Sequence, residues 1–275
     1  MSLVDLIDQE MRAGRIELPV LPETALRVRD LIEHDAAMDR LVEVIEREAA
    51  LATALLRYAN SVAFAGLEEI HDLHHAISRL GLNATEHAVL SVSMRNVFRS
   101  PDPADDDLMR ELWSHSVTVA LAARALAQRC GSDPELAFLG GLLHDIGKIV
   151  VLRTVATMKK QDPSRRLSRT SLFMLFDSLH CSIGEGLFEK WKLPVAIREM
   201  VRDHHASDLV ERPLHVRIVA LADRMAARLG DSLMPDDTIV LHTLPVAASL
   251  GLGETELEGM LEQVRLESES AKAAL

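Results

Sequence analysis

Aromatic residues are scarce in this chain of 275 residues, since Phe, Trp and Tyr together make up only 3% of it. Sheet cores draw heavily on aromatic and β-branched side chains, so this scarcity disfavours a β-sandwich or a barrel. Leu, Ala, Val, Met and Ile must supply most of the packing, which favours helices. Hydrophobic residues still reach 48%, which allows a sizeable core and excludes global disorder.

Cysteine is nearly absent, and the two present are Cys130 and Cys181. Two thiols in a chain of this length do not form a disulfide framework, which favours a reducing compartment. Charged residues interrupt every apolar run before it reaches the length of a membrane span. Residues 1–5 lack the basic and apolar pattern of a signal peptide. We therefore expect a cytoplasmic protein that does not bind a membrane.

Basic residues are too few to balance the acidic ones, and the formal net charge is −12 at pH 7. An acidic surface repels phosphate backbones, so we expect no direct binding of nucleic acid. A nucleotide ligand stays compatible with this charge if a metal ion supplies local positive charge.

Helical periodicity dominates the hydrophobic pattern. Leu41, Val42, Val44 and Ile45 form an apolar face between charged residues. The best strand candidate is the apolar run at residues 149–152, which is short and more simply continues a helix. No alternating pattern bounded by turns predicts a strand, and the sequence therefore predicts an all-α fold.

Prolines and glycines divide this pattern into elements. Pro22 predicts a helix that begins near Glu23, because a proline at a helix start loses no hydrogen bond. Gly81 is expected to end one helix, and Asn83 to cap the next. Another loop is expected near residues 161–164.

The acidic, proline-containing segment at residues 100–107 is the best candidate for a domain boundary. It predicts an N-terminal helical lobe over residues 1–104, packed with a larger helical domain over residues 105–275. The run Asp105, Asp106 and Asp107 is expected to be a solvated linker and helix start rather than a calcium loop.

His144 and Asp145 carry the clearest chemical signal, within the sequence GGLLHDIGK at residues 140–148. At a helix end, an adjacent imidazole and carboxylate can converge on one divalent cation such as iron, manganese, zinc or magnesium. The glycines on either side permit close approach between helices. By itself, such a pair is weak evidence, because a histidine next to a solvated aspartate is the more common case.

Further histidines and an aspartate follow the same chemistry elsewhere in the chain. Asp223 lies in an apolar helical run at residues 219–226, where a buried acid is costly without a partner or a metal. The other candidate ligands are His115, His180, His204 and His205.

Several motifs in order resemble those of the HDOD family, and together they cover nearly the whole chain. They are LPVLP at residues 18–22, LLRYANS at 55–61, the stretch at 70–81 with AI and LG, GLLHDIGK at 141–148 and WKLP at 191–194. The resemblance implies an HD-type helical domain behind an N-terminal helical lobe. It also implies a bacterial regulatory module, often attached to receiver domains, that acts through signalling proteins or a small ligand.

The order of the ligands resembles the HD superfamily of metal-dependent phosphohydrolases and its two-metal HD-GYP subgroup, which hydrolyses cyclic di-GMP. By this resemblance, His144 and Asp145 form the central pair, and Asp145 bridges two metal ions such as iron or manganese. His115 and Asp223 complete one metal site, and the other site takes His180, His204 and His205.

The chain departs from HD-GYP proteins in two places. No Gly-Tyr-Pro follows His205, and the segment before His180 lacks the glutamate of a fuller metal cluster. A regulatory module with a metal site is therefore the leading hypothesis. The alternative is a phosphohydrolase acting on a nucleotide or cyclic dinucleotide, with Asp145 and Lys148 as catalytic residues. A diiron redox sensor is a third hypothesis, because Cys181 adjoins a candidate ligand.

A second group of histidines, His71, His74 and His75, has no carboxylate that convincingly completes a metal site. We interpret these three as surface or capping residues. Cys181 is interpreted as a buried, inert thiol.

Overall fold

The structure is a computed structural model that describes residues 18–60, 68–162 and 167–274, together with residues 7, 9 and 16. Every regular element within these described residues is helical, which confirms the predicted all-α fold. The α-helices are α1 Glu23–Glu33, α2 Met38–Glu46, α3 Ala49–Ala59, α4 Leu73–Leu80, α5 Leu82–Met94, α6 Pro103–Cys130, α7 Pro134–Leu143, α8 Ile146–Gln161, α9 Arg169–Lys190, α10 Val195–Asp203, α11 Leu214–Arg228, α12 Pro245–Ser249 and α13 Glu254–Ala274. Short 3-10 helices occupy Arg95–Phe98, Leu209–Glu211 and Leu241–Thr243.

The chain divides into two compact units. One comprises Val20–Val97, and the other comprises Met1–Pro19 with Phe98–Leu275. The composition predicts a domain boundary at a different place, residue 104, which lies in the first turn of α6. That boundary stays a prediction.

The unit Val20–Val97 contains α1 to α5. As the apolar pattern of α2 predicts, Leu41, Val42 and Ile45 are buried. At the end of α3, the side chain of Asn60 accepts a hydrogen bond from the Ile70 N–H and donates one to the Ile70 carbonyl, both at 2.8 Å. This pair of bonds joins residues ten positions apart and satisfies both backbone groups of Ile70.

The predicted capping role of Asn83 is wrong. Gly81 ends α4, as expected, but α5 begins directly afterwards at Leu82, with Gly81 at the cap position and no side-chain cap. Gly81 has φ +76°, a left-handed conformation that turns the chain sharply enough for the new helix to start at once. Asn83 therefore already lies inside the first turn.

The acidic run at residues 105–107 begins a helix as predicted, but Asp106 is not solvated. Asp106 is buried, accepts a hydrogen bond from the Ser100 N–H at 2.9 Å and pairs with Arg110 at 3.2 Å. These partners offset the cost of burying the carboxylate.

The larger unit is organised around α6, a helix of 28 residues. Its buried Val119, Ala123 and Leu126 share one core with Ile218 and Ala222 of α11. Helices α7 and α13 also pack against α6. Because small alanines alternate with larger apolar residues along this face, the neighbouring helices approach closely.

Two of the sequence motifs meet within this unit. The Trp191 indole N–H donates a hydrogen bond to the Pro19 carbonyl oxygen at 3.1 Å.

Helix α8 ends at Gln161 and α9 begins at Arg169, which agrees with the loop predicted near residues 161–164. Residues 163–166 lie outside the described residues. Within the described part of the chain, no helix has the length and apolar character needed to cross a membrane.

Candidate metal centre

The structure brings all the predicted ligands of the larger unit to one place. They come from five parts of its helical framework: His115 from α6, His144 and Asp145 from the junction of α7 and α8, His180 from α9, His204 and His205 from the end of α10, and Asp223 from α11. All except His205 are buried. The donor atoms form two groups, each within 4.8 Å: His115, His144 and Asp145, and His180, His204 and His205.

The rings of the four buried histidines are all oriented by a hydrogen bond to a backbone carbonyl oxygen. Each directs Nδ1 at a backbone carbonyl oxygen: His115 at Asp231 (2.7 Å), His144 at Gly141 (2.7 Å), His180 at Phe176 (2.6 Å) and His204 at Val201 (2.9 Å). A carbonyl oxygen can only accept, so in each ring Nδ1 carries the proton and donates it. In a neutral ring, Nε2 is then a bare acceptor, which is the tautomer that binds a metal.

These Nε2 atoms face one another in pairs. The Nε2 atoms of His115 and His144 lie 3.2 Å apart, and so do those of His180 and His204. Two bare lone pairs this close repel each other unless a cation or a proton lies between them. Two ligand atoms bound at about 2.1 Å to one metal lie about 3.0–3.4 Å apart at octahedral or tetrahedral angles, so this spacing fits a metal.

Asp145 divides its two oxygens between the histidine pairs. Its Oδ2 lies 3.4 Å from His115 Nε2 and 3.3 Å from His144 Nε2. Its Oδ1 lies 3.5 Å from His180 Nε2 and 3.8 Å from His204 Nε2. One carboxylate oxygen thus faces each histidine pair.

Asp145 Oδ1 is also buried without any hydrogen-bond partner. An unpaired carboxylate oxygen in the interior is costly, and a bound cation would remove that cost. Together with the closely spaced Nε2 pairs, this oxygen shows that the residues present fit divalent metal ions.

We name two half-sites from these contacts. The first half-site consists of His115, His144, Asp223 and Asp145 Oδ2, with Asp223 Oδ1 lying 3.3 Å from His115 Nε2 and 4.0 Å from His144 Nε2. The second half-site consists of His180, His204, His205 and Asp145 Oδ1.

His205 forms the outer edge of the second half-site. Its ring centroid lies 4.1 Å from that of His204 and 5.3 Å from that of His180. Because its side chain is exposed, the second half-site borders the protein surface at this residue.

Lys148, the other predicted catalytic residue, contacts the shared carboxylate. Its Nζ donates to Asp145 Oδ2 at 2.5 Å, and its side chain is only 15% exposed. Burial by itself would lower the pKa of Lys148, but the charge of Asp145 outweighs burial and raises it. The ammonium is therefore a fixed positive charge beside the first half-site rather than a solvated lysine.

Burial and the neighbouring charges shift the pKa values of the histidine ligands in different directions. Burial would lower the pKa of His115, but the carboxylates of Asp145 and Asp223 outweigh it and raise that pKa to about 10. Burial lowers the pKa of His180, and burial with the charge of His144 holds that of His204 well below its ordinary value. Without a metal, His115 thus keeps a proton on Nε2 between the two carboxylates.

Two glycines bring the ligand-bearing backbones together, as predicted from the sequence. A Cβ at Gly141 would lie 2.9 Å from the Ala120 Cα and the Val119 carbonyl oxygen of α6. A Cβ at Gly147 would lie 1.9 Å from the His180 carbonyl oxygen of α9. No larger residue fits either position without moving a helix.

Sequence reasoning missed Asp231, whose backbone carbonyl orients His115. Its carboxylate accepts hydrogen bonds from the hydroxyls of Ser114, at 2.7 Å, and Thr118. Ser114 and Thr118 flank His115 on α6, so Asp231 fixes this turn of the helix on both sides of the ligand. No local pattern relates residues more than a hundred positions apart.

The second histidine group takes no part in the centre. His71, His74 and His75 lie in the unit Val20–Val97 and are exposed. His74 pairs with Asp39 at 2.8 Å, and the backbone N–H of His75 donates to the capping carboxylate of Asp72 at 2.9 Å. Their interpretation as surface residues is confirmed, and the residue that caps the helix is Asp72.

Comparison with known proteins identifies the family. The model of the HDOD domain matches residues 18–207. The chain belongs to the HDOD family. Among solved structures, a protein from Shewanella amazonensis SB2B, named as a candidate metal-dependent phosphohydrolase, has the same fold, with a TM-score of 0.80 over 97% of this chain and 98% of that one. The two sequences are 22% identical.

The HDOD chain also has longer relatives. An uncharacterized protein from Treponema pallidum (strain Nichols) is 27% identical over 212 residues, which cover 74% of this chain and 39% of the relative. Ribonuclease Y from Acholeplasma laidlawii (strain PG-8A) is 24% identical over 77% of this chain and 33% of its own length. The chain thus spans about two fifths or less of the length of these relatives.

Proposed function

We propose that this HDOD chain is a bacterial regulatory module built around a centre for two divalent metal ions. The observation that carries the proposal is the pairing of Nε2 atoms on either side of Asp145, with one carboxylate oxygen directed at each pair. Imidazole and carboxylate ligands suit iron and manganese, which are the ions we propose.

The regulatory part of the proposal rests on membership of the HDOD family and on the missing Gly-Tyr-Pro after His205. In such a module, occupancy of the metal centre or of a small ligand next to it would alter binding to signalling proteins. Two free cysteines fit a reducing compartment and hence a cytoplasmic location, which we also propose.

Metal stoichiometry tests the centre directly. We expect metal-free protein reconstituted anaerobically with iron(II) or manganese(II) to bind two ions per chain. Asp145→Asn should lose both, because Asp145 faces both half-sites, whereas Asp223→Asn should lose only the ion of the first half-site. Asp177→Asn removes a charge from the exposed face of α9 near Lys148 and should keep two ions.

The measurement is metal analysis beside circular dichroism, which separates loss of ligands from loss of fold. Wild-type protein that binds no metal after reconstitution would contradict the proposal. So would an Asp145→Asn variant that is folded and still binds two ions.

A second candidate function, hydrolysis of a phosphoester, is favoured by the surface position of His205 and by Lys148. Two metal ions in such a centre would polarise a phosphoryl oxygen and lower the pKa of a bound water. The exposed edge at His205 would admit the substrate, and the Lys148 ammonium would stabilise negative charge near the first half-site. The similarity to a protein named Ribonuclease Y is consistent with phosphodiester chemistry.

We propose a nucleotide or cyclic dinucleotide as the substrate rather than a long nucleic acid. The net charge of −12 repels an extended phosphate backbone, whereas a small phosphodiester meets mainly the local charge of the metals and Lys148.

Turnover of bis(p-nitrophenyl) phosphate and of cyclic dinucleotides by manganese- or iron-loaded protein tests this second function. Lys148→Met should keep both metal ions but lose activity by about 100-fold, the effect of removing one electrostatic stabiliser. Lys159→Met, at an exposed position of the same helix, serves as the matched control and should stay active. Absence of turnover by fully loaded wild-type protein would contradict the hydrolytic function, and the regulatory function would be the remaining candidate.

A further inference from the structure

Cys181 lies next to the second half-site. It follows His180 on α9, and its Sγ lies 3.3 Å from His180 Nε2, the nitrogen that faces the proposed metal. Its side chain is half-buried and forms no disulfide. The sulfur is therefore close to the nitrogen of His180 that would bind a metal.

The surroundings of this nitrogen point to a ligand. His180 Nδ1 donates to the Phe176 carbonyl, so Nε2 is the bare acceptor toward which the Cys181 S–H is directed. The same nitrogen faces His204 Nε2 at 3.2 Å and Asp145 Oδ1 at 3.5 Å. That oxygen is buried, has no hydrogen-bond partner and belongs to a side chain only 1% exposed.

We propose that Cys181 supplies a thiolate ligand to the second half-site when that half-site binds its metal. The inference rests on the proposed two-metal centre. As the metal binds, the thiol loses its proton to solvent, the S–H···Nε2 hydrogen bond is lost, and sulfur and Nε2 both bond to the metal.

A thiolate would make the two half-sites chemically different. The first half-site offers only nitrogen and oxygen donors, from His115, His144, Asp145 and Asp223. The second would add sulfur to its imidazoles, and soft thiolate ligands favour zinc, cobalt(II) or iron(II) over magnesium and manganese. The centre would then hold two different metals when both kinds are available.

Cobalt(II) is the probe, because a bond between cobalt and thiolate produces a charge-transfer band in the near ultraviolet that imidazole and carboxylate ligands do not. We would titrate metal-free wild-type protein, Cys181→Ser and Cys130→Ser with cobalt(II). Cys130 is the matched control, since it is the other free, half-buried cysteine, at the end of α6. Serine keeps the size and the hydrogen-bond donor, so the fold should persist.

We expect the band in wild-type and Cys130→Ser protein and its absence from Cys181→Ser. The affinity of Cys181→Ser for the second cobalt should be weaker by about tenfold or more, because losing a direct ligand costs at least as much as losing a group that supports one. Asp223→Asn should keep the band, since Asp223 belongs to the other half-site.

Alkylation with iodoacetamide provides a readout that does not depend on spectra. Cobalt should protect Cys181 from modification and leave the modification of Cys130 unchanged. Protein that binds two cobalt ions without the band and without protection would overturn the role of Cys181 while leaving the two-metal centre intact. Wild-type protein that binds no cobalt would overturn the centre itself, and the thiolate ligand with it.

Discussion

At the residue scale, Asp145 has the most connected position in the centre. Its oxygens face four histidine nitrogens, and Oδ2 also accepts from Lys148. In the metal-free protein, the positive charge that balances its carboxylate comes from Lys148 and from the proton on His115. Burial would raise the pKa of Asp145, but the charges of His144 and Lys148 hold it well below its ordinary value.

The opposite pKa shifts of the histidines predict that metal-free protein is most stable near neutral pH. The pKa of His115 rises from 6.5 to about 10, so the folded state keeps a proton that the unfolded state releases between these values. The corresponding stability is fully present below pH 6.5 and is lost as the pH rises through 10. His180 and His204 have lowered pKa values, so their contribution is lost as the pH falls below 6.5.

Urea unfolding of EDTA-treated protein at pH 5, 7 and 9 checks this prediction. The midpoint should be highest at pH 7. His115→Gln, which cannot take the extra proton, should show a smaller decrease between pH 7 and pH 9 than wild-type protein. An equal decrease in both proteins would show that His115 is not the residue responsible.

At the element scale, helix ends orient the ligands. His144 and His204 stand at the C-terminal ends of α7 and α10 and donate Nδ1–H to carbonyls of the last turn. These carbonyls lack the N–H partners that a continuing helix would provide, so they are available to a ring. Each helix end therefore sets both the position and the tautomer of its own ligand.

The close packing of α8 against α9 is the second feature at this scale. We expect Gly147→Ala to lower the free energy of unfolding by about 3 kcal/mol, because its Cβ would overlap the His180 carbonyl oxygen and force the helices apart. The same shift should displace His180 and weaken metal binding at the second half-site. Urea unfolding and metal analysis measure the two effects.

Gly186→Ala is the matched control on α9, since its Cβ would meet nothing within 4 Å. There the added methyl should raise the free energy of unfolding by about 0.5–1 kcal/mol, the ordinary gain from replacing a helical glycine. Equal effects of the two substitutions would contradict the importance of the α8–α9 approach.

At the scale of the whole molecule, every proposed ligand belongs to the unit formed by Met1–Pro19 and Phe98–Leu275. Metal at 100 times its dissociation constant should stabilise the folded protein by about 2.7 kcal/mol for one site. Because the ligands come from α6 to α11, the gain should be distributed over these helices rather than confined to one loop.

Hydrogen exchange followed by mass spectrometry tests this distribution. Metal should slow amide exchange in peptides from α6, α8, α9, α10 and α11 and leave peptides from Val20–Val97 unchanged. Slower exchange within Val20–Val97 would contradict this confinement and would show that the metal state is transmitted to that unit. No change anywhere, with metal bound, would contradict the role of the centre in stabilising the fold.

Much of this architecture follows from local sequence. The low aromatic content and the 3.6-residue periodicity predict an all-α protein, because they reflect properties of single helices. The ligand types and their order also follow from the sequence and its resemblance to the HDOD family. The two local predictions that failed, for Asn83 and for solvation of Asp106, depended on the direction of the chain at Gly81 and on hydrogen bonds with Ser100 and Arg110.

The tertiary structure alone decided how the ligands face one another. It placed His115 beside the carbonyl of Asp231 and divided the oxygens of Asp145 between two histidine pairs. Most of these contacts join residues on different helices, and their distances depend on how closely those helices pack. Local periodicity contains no information on that packing, because glycines such as Gly141 and Gly147 act only against the neighbour that the fold supplies.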